Sequence, residues 1–203
     1  RHGNFAVKKG DKLAGTRIIP LVIEEEKMEA AKRAAAEATG GCPILELKPF
    51  LHKKAGIVTT GNEVFYGRIQ DTFTPVIRGK LSEFDTEVID HVTWNDDDTK
   101  VTASILDMIQ KGADVVVCTG GMSVDPDDKT PLAIRNTGAD IVSYGAPVLP
   151  GAMFLLAYYQ VRDGENPRTV AIMGLPGCVM YAKRTIFDPV SYTHLTLPTN
   201  REV

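Results

Sequence analysis

"VVVCTGGMSVDPDDKTP", residues 115–131, decides the fold. Val115–Cys118 is apolar without alternation, the pattern of a strand covered on both faces, and such strands belong to parallel sheets. The run ends in Thr119, Gly120 and Gly121, then meets Asp125, Asp127 and Asp128. A glycine pair lets backbone approach a ligand closely, and carboxylates hold hard cations. One loop with both features points to a phosphorylated, metal-bound ligand.

Similar runs lie on either side. "AGIVTT" (55–60) and "TEVIDHVTW" (86–94) precede it, and "ADIVSYG" (139–145), "GAMFLLAYY" (151–159) and "RTVAIMG" (168–174) follow. Between them, Phe73, Val76, Ile77, Leu81 and Phe84 recur at helical spacing, as do Val101, Ile105 and Ile109 before Gly112. "DKTPLAIRNTG" reads as a short helix and "CVMYAKRTIF" (178–187) as a last one. Strands alternating with helices of this length predict an α/β fold, a three-layer doubly wound domain with a mostly parallel sheet, over residues 53–190.

The flanks read differently. Residues 1–23 carry short apolar runs broken by Gly10 and Gly15, expected as strands and as the remnant of an upstream β-rich domain. Residues 24–52 read as a connecting helix and linker, with Glu29 and Arg33 at i, i+4 and Gly40-Gly41 as the stop. "SYTHLTLPTNREV" (191–203) has neither helical nor strand periodicity and resembles translated adapter sequence, so it is set apart as a non-native tail.

Composition narrows the function. A net charge of −3 gives no basic footprint for nucleic acid, and no apolar run approaches the roughly 20 residues needed to span a bilayer. Cys42, Cys118 and Cys178 are odd in number and lack CxxC spacing, which argues for a reducing, cytoplasmic setting. His2, His52, His91 and His194 make no metal-ligand pattern.

Three glycine-bearing loops follow strands: "TTGNEV" (59–64), "TGGMSVDPDD" (119–128) and "GLPG" (174–177). None is a P-loop or a GxGxxG turn, so phosphate would be held by backbone N–H groups. Asp96, Asp97 and Asp98 follow the second strand, on the same sheet edge as Asp125, Asp127 and Asp128. Asp98 doubles as a helix N-cap and Asp125 and Asp127 as turn formers, which leaves Asp96 and Asp128 as the catalytic and Mg²⁺-binding candidates. Cys178 reads as a packing residue, with a nucleophile role as the alternative. Trp94 reads as a partly buried aromatic, with pterin stacking as its alternative.

These ordered motifs resemble the molybdopterin-binding domain of molybdenum-cofactor biosynthesis, found in molybdopterin molybdotransferases and molybdopterin adenylyltransferases. The resemblance covers about Lys53 to Phe187. It implies that Thr60, Gly61, Asn62 and Glu63, then Thr119, Gly120, Gly121, Met122 and Ser123, then Leu175, Pro176 and Gly177 contact the ligand. It implies Mg²⁺ at Asp96 and Asp128, molybdopterin or adenylylated molybdopterin as substrate, molybdate as a further partner, and a homo-oligomer. The upstream segment favours the transferase, molybdotransferase-like version, with a non-catalytic carrier or sensor and the adenylyltransferase as alternatives. Leu149 and Ala152 stand where the molybdotransferase pattern has lysines, and Phe73 stands where an asparagine is common.

Overall fold

The computed structural model describes residues 7–196 apart from 16, 18, 44, 48, 124, 126, 127 and 163–166, with the side chain of Thr196 also outside the description. The chain divides into two units, Arg1–Pro49 and Phe50–Val203.

In the first unit, helix α1 (Glu25–Ala38) opens with Glu25 and Glu26, whose charge suits a helix N-terminus. Its stop is as expected: Gly41 N donates to Ala36 O at 2.8 Å, with Gly40 at φ 59°. Glu29 pairs with Lys32 at 2.6 Å rather than with Arg33. The strands expected over 1–23 do not form among the described residues, where Ile19, Leu21 and Val22 are exposed. Without a partner sheet, an apolar run has nothing against which to bury.

The second unit carries a six-stranded sheet in the order β2-β1-β3-β6-β5-β4. Its strands are β1 (Lys54–Thr60), β2 (Glu87–Trp94), β3 (Val115–Thr119), β4 (Asp140–Tyr144), β5 (Leu155–Val161) and β6 (Arg168–Leu175). The first four in that spatial order are mutually parallel; β5 runs antiparallel to both β6 and β4, so β5 alone is reversed. Six residues join β5 to β6, too few for a crossover, so the pair closes as a hairpin.

Helices cover both faces. Adjacent residues of each central strand alternate between two cores, which explains the continuous apolar runs. Val58, Val116 and Ile172 pack with Val101, Ile105 and Met108 of α4 (Asp98–Gln110) and Ile134 of α5 (Thr130–Asn136). Ile57, Val117 and Met173 pack with Ile77 and Leu81 of α3 (Phe73–Ser82). A short α2 (Asn62–Phe65) lies between β1 and α3. Among the described residues no helix is long and apolar enough to cross a membrane.

The C-terminal end departs from expectation. Residues 177–180 form a 3-10 turn, and the last helix, α6, begins only at Phe187 and runs to Thr196. Residues 191–196 therefore continue a helix, with Phe187, Ser191 and Leu195 all buried, while 197–203 lie outside the described residues. The fourfold spacing of these three is the helical signal, obscured by the small Ser191 and by Pro189 in the first turn.

Two half-buried histidines give the stability a pH dependence. His194 Nδ1 faces Val190 O at 2.7 Å, so the ring's other nitrogen accepts from Tyr158 Oη at 2.6 Å. Burial depresses the His194 pKa, with the Val190 carbonyl opposing it. His91 Nε2 lies 2.8 Å from Thr74 Oγ1; burial lowers its pKa too, Asp71 and Asp90 oppose that, and Arg78 reinforces it. Both rings fold neutral, so the unfolded chain binds the extra protons once pH falls below about 6.5. Stability should then decline between pH 7 and 5, each histidine contributing at most about 1.4 kcal/mol per pH unit. Urea denaturation across that range checks this, and His194→Gln should flatten the slope.

Candidate functional site

The chain leaves β1 for β2 on one side and returns past β1 to β3 on the other, so strand order reverses between β1 and β3. Ligands of open α/β sheets bind at the carboxyl ends of strands at such a point. The β1, β3 and β6 loops singled out in the sequence meet there, since Thr59 pairs with Thr119 and Thr119 with Leu175.

Thr60 ties the first two loops together. Its Oγ1 donates to Thr119 O at 3.3 Å and lies 3.1 Å from Thr130 Oγ1, which in turn donates to Gly120 O at 2.8 Å. Gly120 takes φ +84° so closely against β1 that a Cβ there would fall 2.0 Å from Thr60 O. Thr130, buried at the start of α5, was not marked by the sequence; its place before Pro131 was the available signal.

Beyond the glycines, Met122 is buried in the core, so its side chain packs under the loop. Ser123 N and Oγ both donate to Asp128 Oδ2 at 2.6 Å, and Asp128 N donates to Asp125 O at 3.0 Å. The loop is thus closed by Asp128 itself. Asp127 lies outside the described residues. Tyr144 Oη donates to Ser123 O at 3.4 Å, and burial together with the Asp128 charge pushes its pKa up.

At the end of β2, Asn62 Nδ2 donates to Asp96 Oδ2 at 2.7 Å, joining the first loop to the first candidate carboxylate. The N-cap of α4 is Asp97, which accepts from Lys100 N at 3.2 Å; Asp98 instead accepts from Asn136 Nδ2. Glu63 is exposed and Gly61 half-buried. Leu175 is buried at the end of β6, and Pro176 caps the 3-10 turn that starts at Gly177. Cys178 sits half-buried in that turn, whereas Cys118 is fully buried in β3 and its thiol is pushed up to about 12.

Asp96 and Asp128 each keep one carboxylate oxygen without a hydrogen-bond partner among the described residues. No cluster of three His, Cys, Asp or Glu forms a ready-made metal cage among the described residues. Two hard carboxylates with open oxygens suit Mg²⁺, which takes its remaining oxygens from phosphate and water. A separate cavity of about 580 Å³, lined by Ile109, Tyr159 and Arg168, lies at the opposite sheet edge. Arg168 there is engaged with the carbonyls of Ile109 and Ala113.

Glycine loops and carboxylates thus gather at the switch point of a doubly wound sheet, the place where open α/β domains take their ligands. A family model described as "Probable molybdopterin binding domain" matches residues 56–193, and the chain belongs to that family. Over 90 residues it is 34% identical to a CinA-like protein of Mycobacterium tuberculosis (strain ATCC 25177 / H37Ra) and 33% identical to one of Mycobacterium avium (strain 104). Each match covers 44% of this chain and 21% of the relative's length. Among solved structures, the tungsten cofactor synthesizing protein MoaB from Pyrococcus furiosus superposes with a TM-score of 0.52 at 23% identity, covering 63% of this chain and 84% of that one. The molybdopterin biosynthesis enzyme MoaB from Thermus thermophilus superposes at 0.51 with 22% identity, covering 70% and 89%. Both share the fold.

Proposed function

We propose that the chain binds molybdopterin or its adenylylated form at the β1/β3 switch point and acts on it as a molybdotransferase-like enzyme with Mg²⁺. The observation that carries this reading is the pairing of each carboxylate with a glycine-loop residue: Asp96 with Asn62, and Asp128 with Ser123. Each pair orients one carboxylate oxygen and leaves the other open. Backbone N–H groups of the glycine loops are the natural holders of the phosphate. Mg²⁺ bound by the open oxygens would supply charge neutralisation for a phosphate ester under attack. Asn62 and Ser123 keep the two carboxylates aimed, so no reorganisation is needed as charge develops.

A non-catalytic carrier is the second reading. Leu149, 87% exposed, and Ala152 bring no cation to the stretch where the molybdotransferase pattern has lysines. Calorimetric titration of the full chain with molybdopterin and its adenylylated form, with and without Mg²⁺, separates the two. The enzyme reading expects the adenylylated form to bind more tightly, and more so with Mg²⁺. Asp128→Asn should then cut AMP release by about 100-fold or more while sparing the binding seen without Mg²⁺, because the amide oxygen still accepts both Ser123 donors. Binding of plain molybdopterin with no Mg²⁺ effect would favour the carrier, and binding of neither form would sink both.

A further inference from the structure

We infer that Phe65, Tyr66 and Trp94 form a stacking shelf for the planar heterocycle of a phosphorylated ligand, with Arg68 and Lys100 supplying countercharge. The inference rests on the function proposed above and adds the part of the ligand that the glycine loops do not address.

The shelf is built by the same two segments that set Asp96. In α2, Asn62 and Phe65 stand three residues apart, the spacing that places side chains on one side of a helical turn. At the end of β2, Trp94 precedes Asp96 by two residues. Asn62 bonds Asp96 at 2.7 Å, and the Phe65 ring centroid lies 6.0 Å from that of Trp94 with the planes inclined by 30°. A ligand whose phosphate lies beside Asp96 therefore has these rings next to it.

Phe65 and Tyr66 stand outside the core, while Trp94 is half-buried against it with its indole N–H donating to Ser104 Oγ at 2.7 Å. Phe65 is 38% exposed and Tyr66 61%, and Tyr66 meets Phe65 edge-on at 5.2 Å. Cations flank both ends of the group: Arg68 lies 5.9 Å from the Tyr66 centroid and Lys100 5.4 Å from that of Trp94. Aromatic faces interleaved with cations suit a flat heterocycle joined to a phosphate, the rings stacking on the heterocycle and the cations facing the anion, and they recur where nucleobases stack. Adenine and pterin rings share that chemistry.

Trp94 is the single tryptophan of the chain, so its emission reports on the shelf directly. The full chain should be titrated with AMP, neopterin monophosphate and ribose 5-phosphate, following Trp94 fluorescence and heat in parallel. A ring-bearing phosphate should quench the emission saturably, whereas ribose 5-phosphate should not. Quenching by AMP alone assigns the shelf to adenine, and by neopterin monophosphate alone to the pterin. Phe65→Leu, which keeps an apolar contact for Trp94, should weaken the ring-bearing ligand about tenfold and leave ribose 5-phosphate unchanged. Tyr66→Ala should act in the same direction. Unchanged affinity in both variants overturns the shelf, as does a loss of self-association by sedimentation without a loss of ligand, which gives the patch to a second copy of the chain. No heat from any probe also overturns it. Asp96→Asn separates the two ideas: phosphate binding that ignores this substitution but follows Phe65→Leu removes the carboxylate reading and keeps the shelf.

Discussion

Replacing Gly120 by alanine should destabilise the domain by about 3 kcal/mol or more and abolish ligand binding. Two costs combine. At φ +84° the backbone lies where a side chain is strained, and the added Cβ would sit 2.0 Å from Thr60 O, which is backbone and cannot swing aside. Relief requires β1 and β3 to part where they are hydrogen-bonded, at Thr59 and Thr119. The same movement pulls Thr130 from Thr60 and Gly120, so the two loops lose their common tie. Urea denaturation with calorimetry on the variant measures both effects. Gly61→Ala is the control: φ +143° strains it also, but its Cβ would meet no atom within 4 Å, so the smaller loss expected there isolates the steric term at Gly120. Equal losses at the two positions would mean that backbone strain alone, not the close approach of the loops, fixes Gly120.

This contrast marks what could be read in advance. The fold was legible where one physical pattern governed a whole element. β1, β3 and β6 are buried on both faces over residues 55–60, 115–119 and 170–175 and carry no charge there, with an uninterrupted apolar run at the centre of each, and α3 and α4 carry one buried stripe each. It was less legible where burial comes from distant partners. The 3-10 turn at Gly177 and the late start of α6 depend on residues packing on α3, and helix α6 has weak intrinsic propensity, with Pro189, Val190 and two threonines. The apolar residues at 19–23 matched a strand pattern equally well, yet no strand forms there, because a strand is completed by a neighbour that its own sequence does not specify. In the site, Asp96 and Asp128 stood out by chemistry and position after strands. Their holders did not: Asn62 and Asp96 are 34 residues apart, and Thr60 and Thr130 are 70 apart. The loop-closing task fell to Asp128, one of the two residues picked for catalysis, so its substitution needs the isosteric asparagine rather than alanine.

Asp188→Ala should cost about 3–5 kcal/mol, the usual cost of stranding one member of a buried ion pair. Lys80 Nζ lies 2.9 and 3.1 Å from the two Asp188 carboxylate oxygens, and the side chains are 9% and 7% exposed. Removing the carboxylate leaves the ammonium with only the Lys183 carbonyl, 3.0 Å away. It also frees the Thr185 amide, which donates to Asp188 at 2.6 Å, and one arm of Arg184, whose other arm reaches Glu83 at 2.8 Å. These bonds join the end of α3 to the start of α6. Lys80→Met combined with Asp188→Leu should recover part of the loss, since no charge is then stranded, but not all of it, because Thr185 and Arg184 still lack their acceptor. A double-mutant cycle in urea gives the coupling, and a double variant less stable than Asp188→Ala would refute the argument. The pH dependence follows with a definite sign. Burial pushes the Asp188 carboxyl up, but Lys80, the Thr185 amide and Arg184 outweigh it and hold the carboxyl below its usual range. The pair's contribution is therefore complete above the unfolded value near 3.9 and is lost as pH falls further, so acid unfolding should begin at α6 and α3 and move to higher pH in Arg184→Ala.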